Sequence, residues 1–224
     1  MTPVIASPEV NPDLINLPPG DIYSNEPPVE SSIHLNQIFL LISCLELFWQ
    51  ERNDYFAVGN LTIYYKPEQN QNIEFRGPDF FVVLGTEKKD RKSWVVYREG
   101  GRYPHIIIEI LSDSTAGVDR TTKKEIYQDI FRTPDYFWFH PETLEFQGFH
   151  LVEGEYLELI PNERGHLWSQ QLELFLGVLD RKLRYFTESG ELVLTPNEAR
   201  VREHDRAERL AAKLRELNID PDQV

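Results

Sequence analysis

Residues 104–127 read PHIIIEILSDSTAGVDRTTKKEIY and combine a very apolar run with a charged segment. Four of the five residues at 106–110 are isoleucines, a pattern typical of a fully buried strand. The charged segment that follows is predicted to form an amphipathic helix with Ile126, Ile130 and Phe131 on one side. A buried strand that leads through a short loop into an amphipathic helix is typical of α/β domains.

The flanking sequence predicts further elements of the same domain. A long helix is expected at residues 31–51, opened by a serine cap, and a charged helix after Pro196. Runs of aromatic and β-branched residues predict strands of one sheet at 55–65 and 73–85, then strands at 93–104 and 135–141, and hairpins that turn at Glu153-Gly154 and Ser189-Gly190. These elements together predict a mixed sheet flanked by helices.

The 224 residues suffice for one full-sized domain. We divide them into a proline-rich arm (1–29), a core domain (30–195) and a charged C-terminal helix and tail (196–224). The single cysteine, Cys44, excludes a disulfide framework and favours a cytoplasmic location. The first residues do not resemble a secretory signal, and the most apolar run, 38–49, is too short to span a membrane. A soluble protein is therefore expected.

The charge distribution bears on possible partners. The net charge of −14 disfavours binding to nucleic acid. Basic residues are nevertheless enriched between residues 76 and 132, where eleven bases face nine acids. The densest group, Lys88, Lys89, Arg91 and Lys92, is either a solvated loop or a set of phosphate contacts.

Two acids are the candidate catalytic residues because of their apolar surroundings. Asp79 begins the strand in GPDFFVVLG, and Glu109 interrupts the isoleucine run. A buried carboxylate is costly unless it is paired, protonated or bound to a metal. If the two strands are neighbours, both carboxylates converge on one point and suit a hard cation such as Mg²⁺ or Mn²⁺. The alternatives are a turn residue for Asp79, and an exposed strand end or a pair with an arginine such as Arg76 for Glu109.

The helix after the strand could supply a cation to this site. Lys123 and Lys124 point about 100° apart around a helix, so at most one faces the sheet. Lys123 shares a face with Tyr127, four residues later. The alternative for both lysines is a solvated surface.

Four pieces of the sequence resemble, in order and near the same spacing, a large bacterial family of restriction endonuclease-like proteins in the PD-(D/E)XK nuclease superfamily. They are RGPDFFVV (76–83), IIIEILSDST (106–115), DRTTKKEIY (119–127) and DYFWFHP (135–141). His34, in the first predicted helix, matches a frequent family histidine. The resemblance spans about residues 30–200. It departs from the family pattern at Asp113, where proline is usual, and at His140, where aspartate is usual.

The resemblance implies an α/β fold with a restriction endonuclease-like core, extra β-hairpins and a C-terminal helix. It implies that Asp79 and Glu109 bind Mg²⁺ or Mn²⁺ together with the backbone carbonyl of Ile110. The catalytic lysine would be Lys123, which assigns Lys124 to the surface. Supporting positions would be Arg76, His34, Asp119 and Tyr127. An acid that some superfamily members carry on the first helix has only weak candidates here, Glu46 and Glu30.

The leading hypothesis is a metal-dependent endonuclease that hydrolyses DNA phosphodiester bonds. The acidic composition, the proline-rich arm and the C-terminal helix instead favour a catalytically silent nuclease-fold protein that acts as an interaction or oligomerisation module. Hydrolysis of a small phosphate ester is a third possibility and tolerates the net charge of −14 better. The buried aromatic strands and the C-terminal helix lead us to expect a homodimer, since most oligomers are two-fold.

Overall fold

A computed structural model describes residues 19–26, 29, 31–66, 75–112, 117, 119–217 and 219–221, with residues 119 and 120 described by their backbone alone. In chain order the elements are α1 (Ser32–Phe48), β1 (Tyr55–Gly59), β2 (Ile63–Tyr64), β3 (Phe75–Arg76), β4 (Phe80–Leu84), β5 (Trp94–Val95), a 3-10 turn (Val96–Arg98), β6 (Ile106–Ile110), the helix α2, β7 (Asp135–Phe139), β8 (Phe146–Val152), β9 (Glu155–Glu158), β10 (Leu167–Ser169), β11 (Leu174–Leu179), β12 (Lys182–Phe186) and α3 (Pro196–Glu216). Helix α2 joins the segments Asp119–Lys123, Lys124–Ile126 and Tyr127–Phe131.

A six-stranded mixed sheet forms the centre of the domain, in the order β1-β4-β6-β7-β8-β9. Strands β6 and β7 run parallel, and the other neighbours are antiparallel. All five residues of β6 are buried. Such burial on both faces explains the isoleucine run, because a strand covered on both sides has no polar face. The mixed α/β fold predicted from the sequence is confirmed.

Each face of the sheet carries its own core. One face packs against α1 and a three-stranded sheet, β10-β11-β12. Gln37, on α1, exchanges hydrogen bonds with the backbone of Leu183 in β12, at 2.9 and 3.0 Å. The other face packs against α2 through Tyr127 and Phe131 and against the sheet β3-β2-β5 through Ile63 and Trp94. The central strands are therefore shielded from water on both faces.

The predicted first helix is observed. Its N-cap is Ser31, whose hydroxyl accepts a hydrogen bond from the backbone amide of His34 at 3.2 Å. This cap fixes where the helix starts, and so where His34 lies relative to the sheet.

The predicted single sheet of the first strands is wrong. Residues 55–65 and 73–85 each divide between two sheets, because β1 and β4 join the central sheet while β2 and β3 pair with β5. The strand predicted at 93–104 shrinks to Trp94–Val95 followed by a 3-10 turn. The hairpin at Glu153-Gly154 is observed, with φ of 52° and 99° at the turn residues. At Ser189-Gly190 the pairing is limited to a single bridge, between Phe186 and Leu192.

Helix α2 forms in the predicted place but with a different winding. Its first and last segments are wound as π-helix around three α-helical residues. Wider turns rotate the side chains away from the positions expected at 3.6 residues per turn. Phe131 and Tyr127 are buried as a result, while Ile130 is 37% exposed, contrary to its predicted place on the buried side.

Helix α3 stands at the surface, as predicted for the charged C-terminal segment. Thr195 and Glu198 form a reciprocal capping box, and the Glu198 carboxylate accepts two hydrogen bonds from Arg184 of β12. The helix has 21 residues and none of them is buried. Within the described ranges, no helix is both long enough and apolar enough to span a membrane.

Candidate active site

Asp79 lies at the entry to β4, beside the central strand β6. The register of the two strands, with Phe80 opposite Ile108, brings Asp79 next to Glu109 and Ile110. The Asp79 carboxylate accepts a hydrogen bond from the backbone amide of Ile110 at 2.7 Å. Asp79 is thus a positioned side chain rather than only a turn residue.

Glu109 is fully buried and has three hydrogen-bond donors around it. The Tyr127 hydroxyl donates to Oε1 at 2.7 Å, and Lys123 Nζ lies 3.1 Å from Oε2. The backbone amide of Asp79 donates weakly to Oε2 at 3.3 Å. These partners explain how an apolar strand tolerates an acid, since a buried carboxylate needs paired charge and hydrogen bonds. The Arg76 guanidinium instead donates to the carbonyl of Phe75 at 2.7 Å.

The two lysines of α2 have different surroundings. Lys123 is 19% exposed and forms the ion pair with Glu109. Lys124 lies over the ring of Phe149, 3.6 Å from its centroid, and near Trp138. Burial lowers the pKa of Lys124, although Glu158 opposes the shift. Lys124 is therefore partly exposed and packs on aromatic rings, whereas Lys123 is the lysine that pairs with Glu109.

His34 brings a further polar group to Asp79. Its Nε2 lies 3.0 Å from Asp79 Oδ1, and the residue is 8% exposed. Burial alone would raise the pKa of the Asp79 carboxyl. The opposing effects of His34, Lys123 and the Ile110 amide are stronger, so the pKa lies below its usual value and Asp79 stays ionised near neutral pH.

Two acids of the predicted motifs have no described side chain. The backbone of Asp119 begins α2, and Asp113 lies outside the described residues. His140, the second departure from the family pattern, is buried at the end of β7, where its Nδ1 accepts backbone hydrogen bonds from Glu142 and Thr143. His140 thus stabilises a turn, and these two hydrogen bonds do not involve Asp79 or Glu109.

The basic loop is neutralised within the chain. Lys88 pairs with Glu46 and with the hydroxyl of Tyr55, Lys89 with Glu87, and Lys92 approaches Asp21 at 3.9 Å. Arg91 makes two hydrogen bonds to Glu99, lies over Phe56 and Trp94, and is only 5% exposed. This arrangement favours a structural role for the loop over phosphate contacts. Glu46, a candidate for the first-helix acid, is committed to Lys88.

Sequence reasoning missed Glu26, which the described part of the arm brings to the site. Its carboxylate interacts electrostatically with Asp79 and Lys123. Burial raises its pKa, against a hydrogen bond from Thr62 and the charge of Lys123. The boundary at residue 30 therefore separates Glu26 from the domain against which it packs. Glu26 precedes two prolines in a stretch with no periodicity. Its acidic side chain was the only sign in the sequence of a role in the site, and Glu30 has the same side chain.

Asp135 is a second fully buried acid, and its hydrogen bonds indicate a structural role. Its carboxylate accepts hydrogen bonds from the Ser169 hydroxyl at 2.6 Å and the Gln171 amide at 3.0 Å, and lies 2.7 Å from His150 Nδ1. It therefore ties β7 to β8 and to the loop after β10, on the strand adjacent to Glu109.

The donor set around Asp79 and Glu109 fits a hard divalent cation. Both side chains offer carboxylate oxygens, and the Ile110 carbonyl belongs to the residue whose amide binds Asp79. Within the described ranges, no three His, Cys, Asp or Glu side chains converge as a metal-ligand group. Two carboxylates suffice for Mg²⁺, which retains several waters, whereas a structural zinc site needs four protein ligands.

Residues 10–180 match the Uma2 family, described as "Putative restriction endonuclease". The chain belongs to this family. The match covers Asp79, the strand that carries Glu109 and the whole of α2, and it extends into the arm segment that carries Glu26. It confirms the family resemblance seen in the sequence.

A solved structure shares similarity with the chain. It is a protein from Anabaena variabilis that is described as a "putative nuclease belonging to DUF820", with 12% sequence identity and a TM-score of 0.48. The similarity covers 66% of this chain and 76% of that one. No curated protein matches the chain.

Proposed function

We propose that this Uma2 family protein is a Mg²⁺- or Mn²⁺-dependent endonuclease that hydrolyses DNA phosphodiester bonds. The observation that carries the proposal is the fully buried carboxylate of Glu109, held between Lys123 and Asp79. Burying such a group costs free energy, and active sites are where perturbed ionisable groups concentrate. The family description supports nuclease chemistry.

Asp79, Glu109 and the Ile110 carbonyl would hold the ion. When bound, a divalent ion lowers the pKa of a coordinated water and offsets the charge that develops on a phosphate. Tyr127 and Lys123 orient the Glu109 carboxylate, and His34 orients that of Asp79. Lys123 has a second role: its partly exposed ammonium positions the attacking water or stabilises negative charge on the phosphate.

The two neighbouring lysines provide a matched test. Lys123→Met is expected to lower the rate of plasmid nicking in Mg²⁺ or Mn²⁺ by about a hundredfold or more, in line with the size of acid–base and electrostatic effects in active sites. Lys124→Met should retain nearly the full rate, because Lys124 packs on Phe149.

The same assay is run on a small phosphodiester, bis(4-nitrophenyl) phosphate. Turnover of this compound without nicking of DNA would assign the site to small phosphate esters, consistent with the net charge of −14. Equal nicking rates for wild type and Lys123→Met, or no turnover of either substrate by the wild type, would refute the catalytic proposal.

The interaction module remains a second candidate because of α3. Leu210, on a helix that buries none of its residues, and Leu217, the residue that caps its C-terminus, are 56% and 69% exposed. Such leucines favour pairing with another apolar surface, and a homodimer through α3 is the simplest form. Light scattering of a Leu210→Glu, Leu217→Glu variant tests it: a dimer that persists would exclude α3 as the interface.

A further inference from the structure

The arm segment at 22–26 is built into the domain rather than lying loosely on it. Thr62, which is fully buried, is the centre of its contacts. The Ser24 hydroxyl accepts from the Thr62 amide at 3.0 Å, and the Asn25 amide donates to the Thr62 hydroxyl at 2.7 Å. Ser93 donates to the carbonyl of Ile22 at 2.7 Å. The path of the backbone up to Glu26 is therefore defined.

The Glu26 carboxylate packs closely against the backbone that leads into Pro78 and Asp79. The Thr62 hydroxyl donates to Oε1 at 2.9 Å. On its other side the Glu26 carboxylate lies against Gly77. A Cβ atom added to Gly77 would fall 1.7 Å from the carboxyl carbon of Glu26. Gly77 is two residues before Asp79, so the absence of a side chain at 77 lets the carboxylate approach the start of β4.

The charge of Glu26 lacks a close protein cation. Among the described residues, no lysine, arginine or histidine lies within ion-pair distance of its carboxylate, although Lys123 acts on it from further away. A half-buried carboxylate beside the acid Asp79 is unfavourable, because like charges repel and burial removes water. A cation bound between Asp79 and Glu109 would compensate this charge.

We propose that Glu26 is a third carboxylate of the metal site, which strengthens binding of a divalent cation from outside the direct ligand set. The inference rests on the proposed function, because it needs an ion at Asp79 and Glu109. Within the described part of the chain these acids do not converge as a three-residue ligand group. Glu26 therefore acts through an ion-bound water and through its charge.

The test measures Mn²⁺ affinity by isothermal titration calorimetry on the full chain without substrate. Glu26→Gln keeps an acceptor for Thr62 and removes only the charge. Its dissociation constant for Mn²⁺ should rise about tenfold, the lower end of the usual effect of groups that support metal ligands. Asp21→Asn is the matched control, since Asp21 directly precedes this segment, is 82% exposed and is 3.9 Å from Lys92. Its affinity should equal that of the wild type.

Gly77→Ala provides a second, independent variant. The added Cβ displaces the flexible end of Glu26 rather than backbone, so the fold should survive while Mn²⁺ binding weakens as in Glu26→Gln. Unchanged affinity in Glu26→Gln would overturn the inference. The proposed function would still stand in that case, provided that the wild type binds Mn²⁺ and Glu109→Gln abolishes the binding. If the wild type does not bind Mn²⁺, both fail together.

Discussion

The hydrogen bond between Tyr127 and Glu109 allows a quantitative prediction. Both residues are fully buried, and the hydroxyl donates to the carboxylate at 2.7 Å. Tyr127→Phe removes this donor without changing the shape of the ring, and leaves a buried charged acceptor with one partner fewer. Hydrogen bonds to charged groups contribute about 1.5–3 kcal/mol, so we expect the free energy of unfolding to fall by about 2 kcal/mol.

Tyr185 provides the control. It is also fully buried, and its hydroxyl has no hydrogen-bond partner in the part of the chain that the structure describes. Tyr185→Phe removes an unsatisfied polar group, so the free energy of unfolding should stay unchanged or rise by up to about 1 kcal/mol. Each substitution removes a buried tyrosine hydroxyl. The two differ in whether the structure gives that hydroxyl a hydrogen-bond partner.

Urea denaturation at neutral pH, without added metal, measures both variants. The loss of about 2 kcal/mol in Tyr127→Phe corresponds to a fall in melting temperature of roughly 4–8 °C for a domain of this size. If neither substitution lowers the free energy of unfolding, the Tyr127 hydroxyl does not donate to Glu109 in solution. An equal loss in both would show that the hydroxyls matter through packing alone. Either result refutes the assignment of Tyr127 as the donor that holds Glu109.

Two further predictions concern the fold. A Cβ on Gly148 would lie 2.5 Å from the ring of Phe137, so Gly148→Ala should destabilise the domain by about 1–3 kcal/mol in the same urea assay; unchanged stability would mean that the strands separate easily here. The hydrogen bonds from Arg184, against a smaller effect of burial, lower the pKa of Glu198 from its usual 4.5 to about 2. A carboxyl with a lowered pKa stabilises the folded state above its unfolded pKa and loses that effect as the pH falls. Glu198→Gln should thus cost about 1 kcal/mol or less at pH 7, since Glu198 is 39% exposed, and the difference from the wild type should shrink as the pH falls from 4.5 through about 2. Glu203→Gln, on the exposed side of α3, serves as the control, and a difference as large at pH 2 as at pH 7 would contradict the ion pair.

The elements that the sequence predicted correctly are those with a strong local pattern. The isoleucine run, the serine-capped first helix and the charged last helix each carry their signal within a few turns or one strand length. The positions of Asp79 and Glu109 stood out for the same reason, because an acid among branched and aromatic residues demands a partner.

The elements that the sequence missed depend on pairing at long range. The short strands β10 and β11 were not predicted, and the division of residues 55–65 between two sheets follows from partners as distant as Trp94. The winding of α2 likewise had no local signal. It accompanies the packing of Tyr127 and Phe131 against the sheet, which involves residues distant in sequence.

For the candidate site, local chemistry identified the acids, and the order of the motifs selected Lys123. Tertiary packing decided their partners: the donors around Glu109, the histidine beside Asp79, the aromatic rings under Lys124 and the carboxylates that neutralise the basic loop. Glu26 shows most clearly which site residues could not be predicted from the sequence. Its distance from Asp79 is set by the fold of a segment without periodicity, since side chains far apart in sequence meet only once the sheets have assembled.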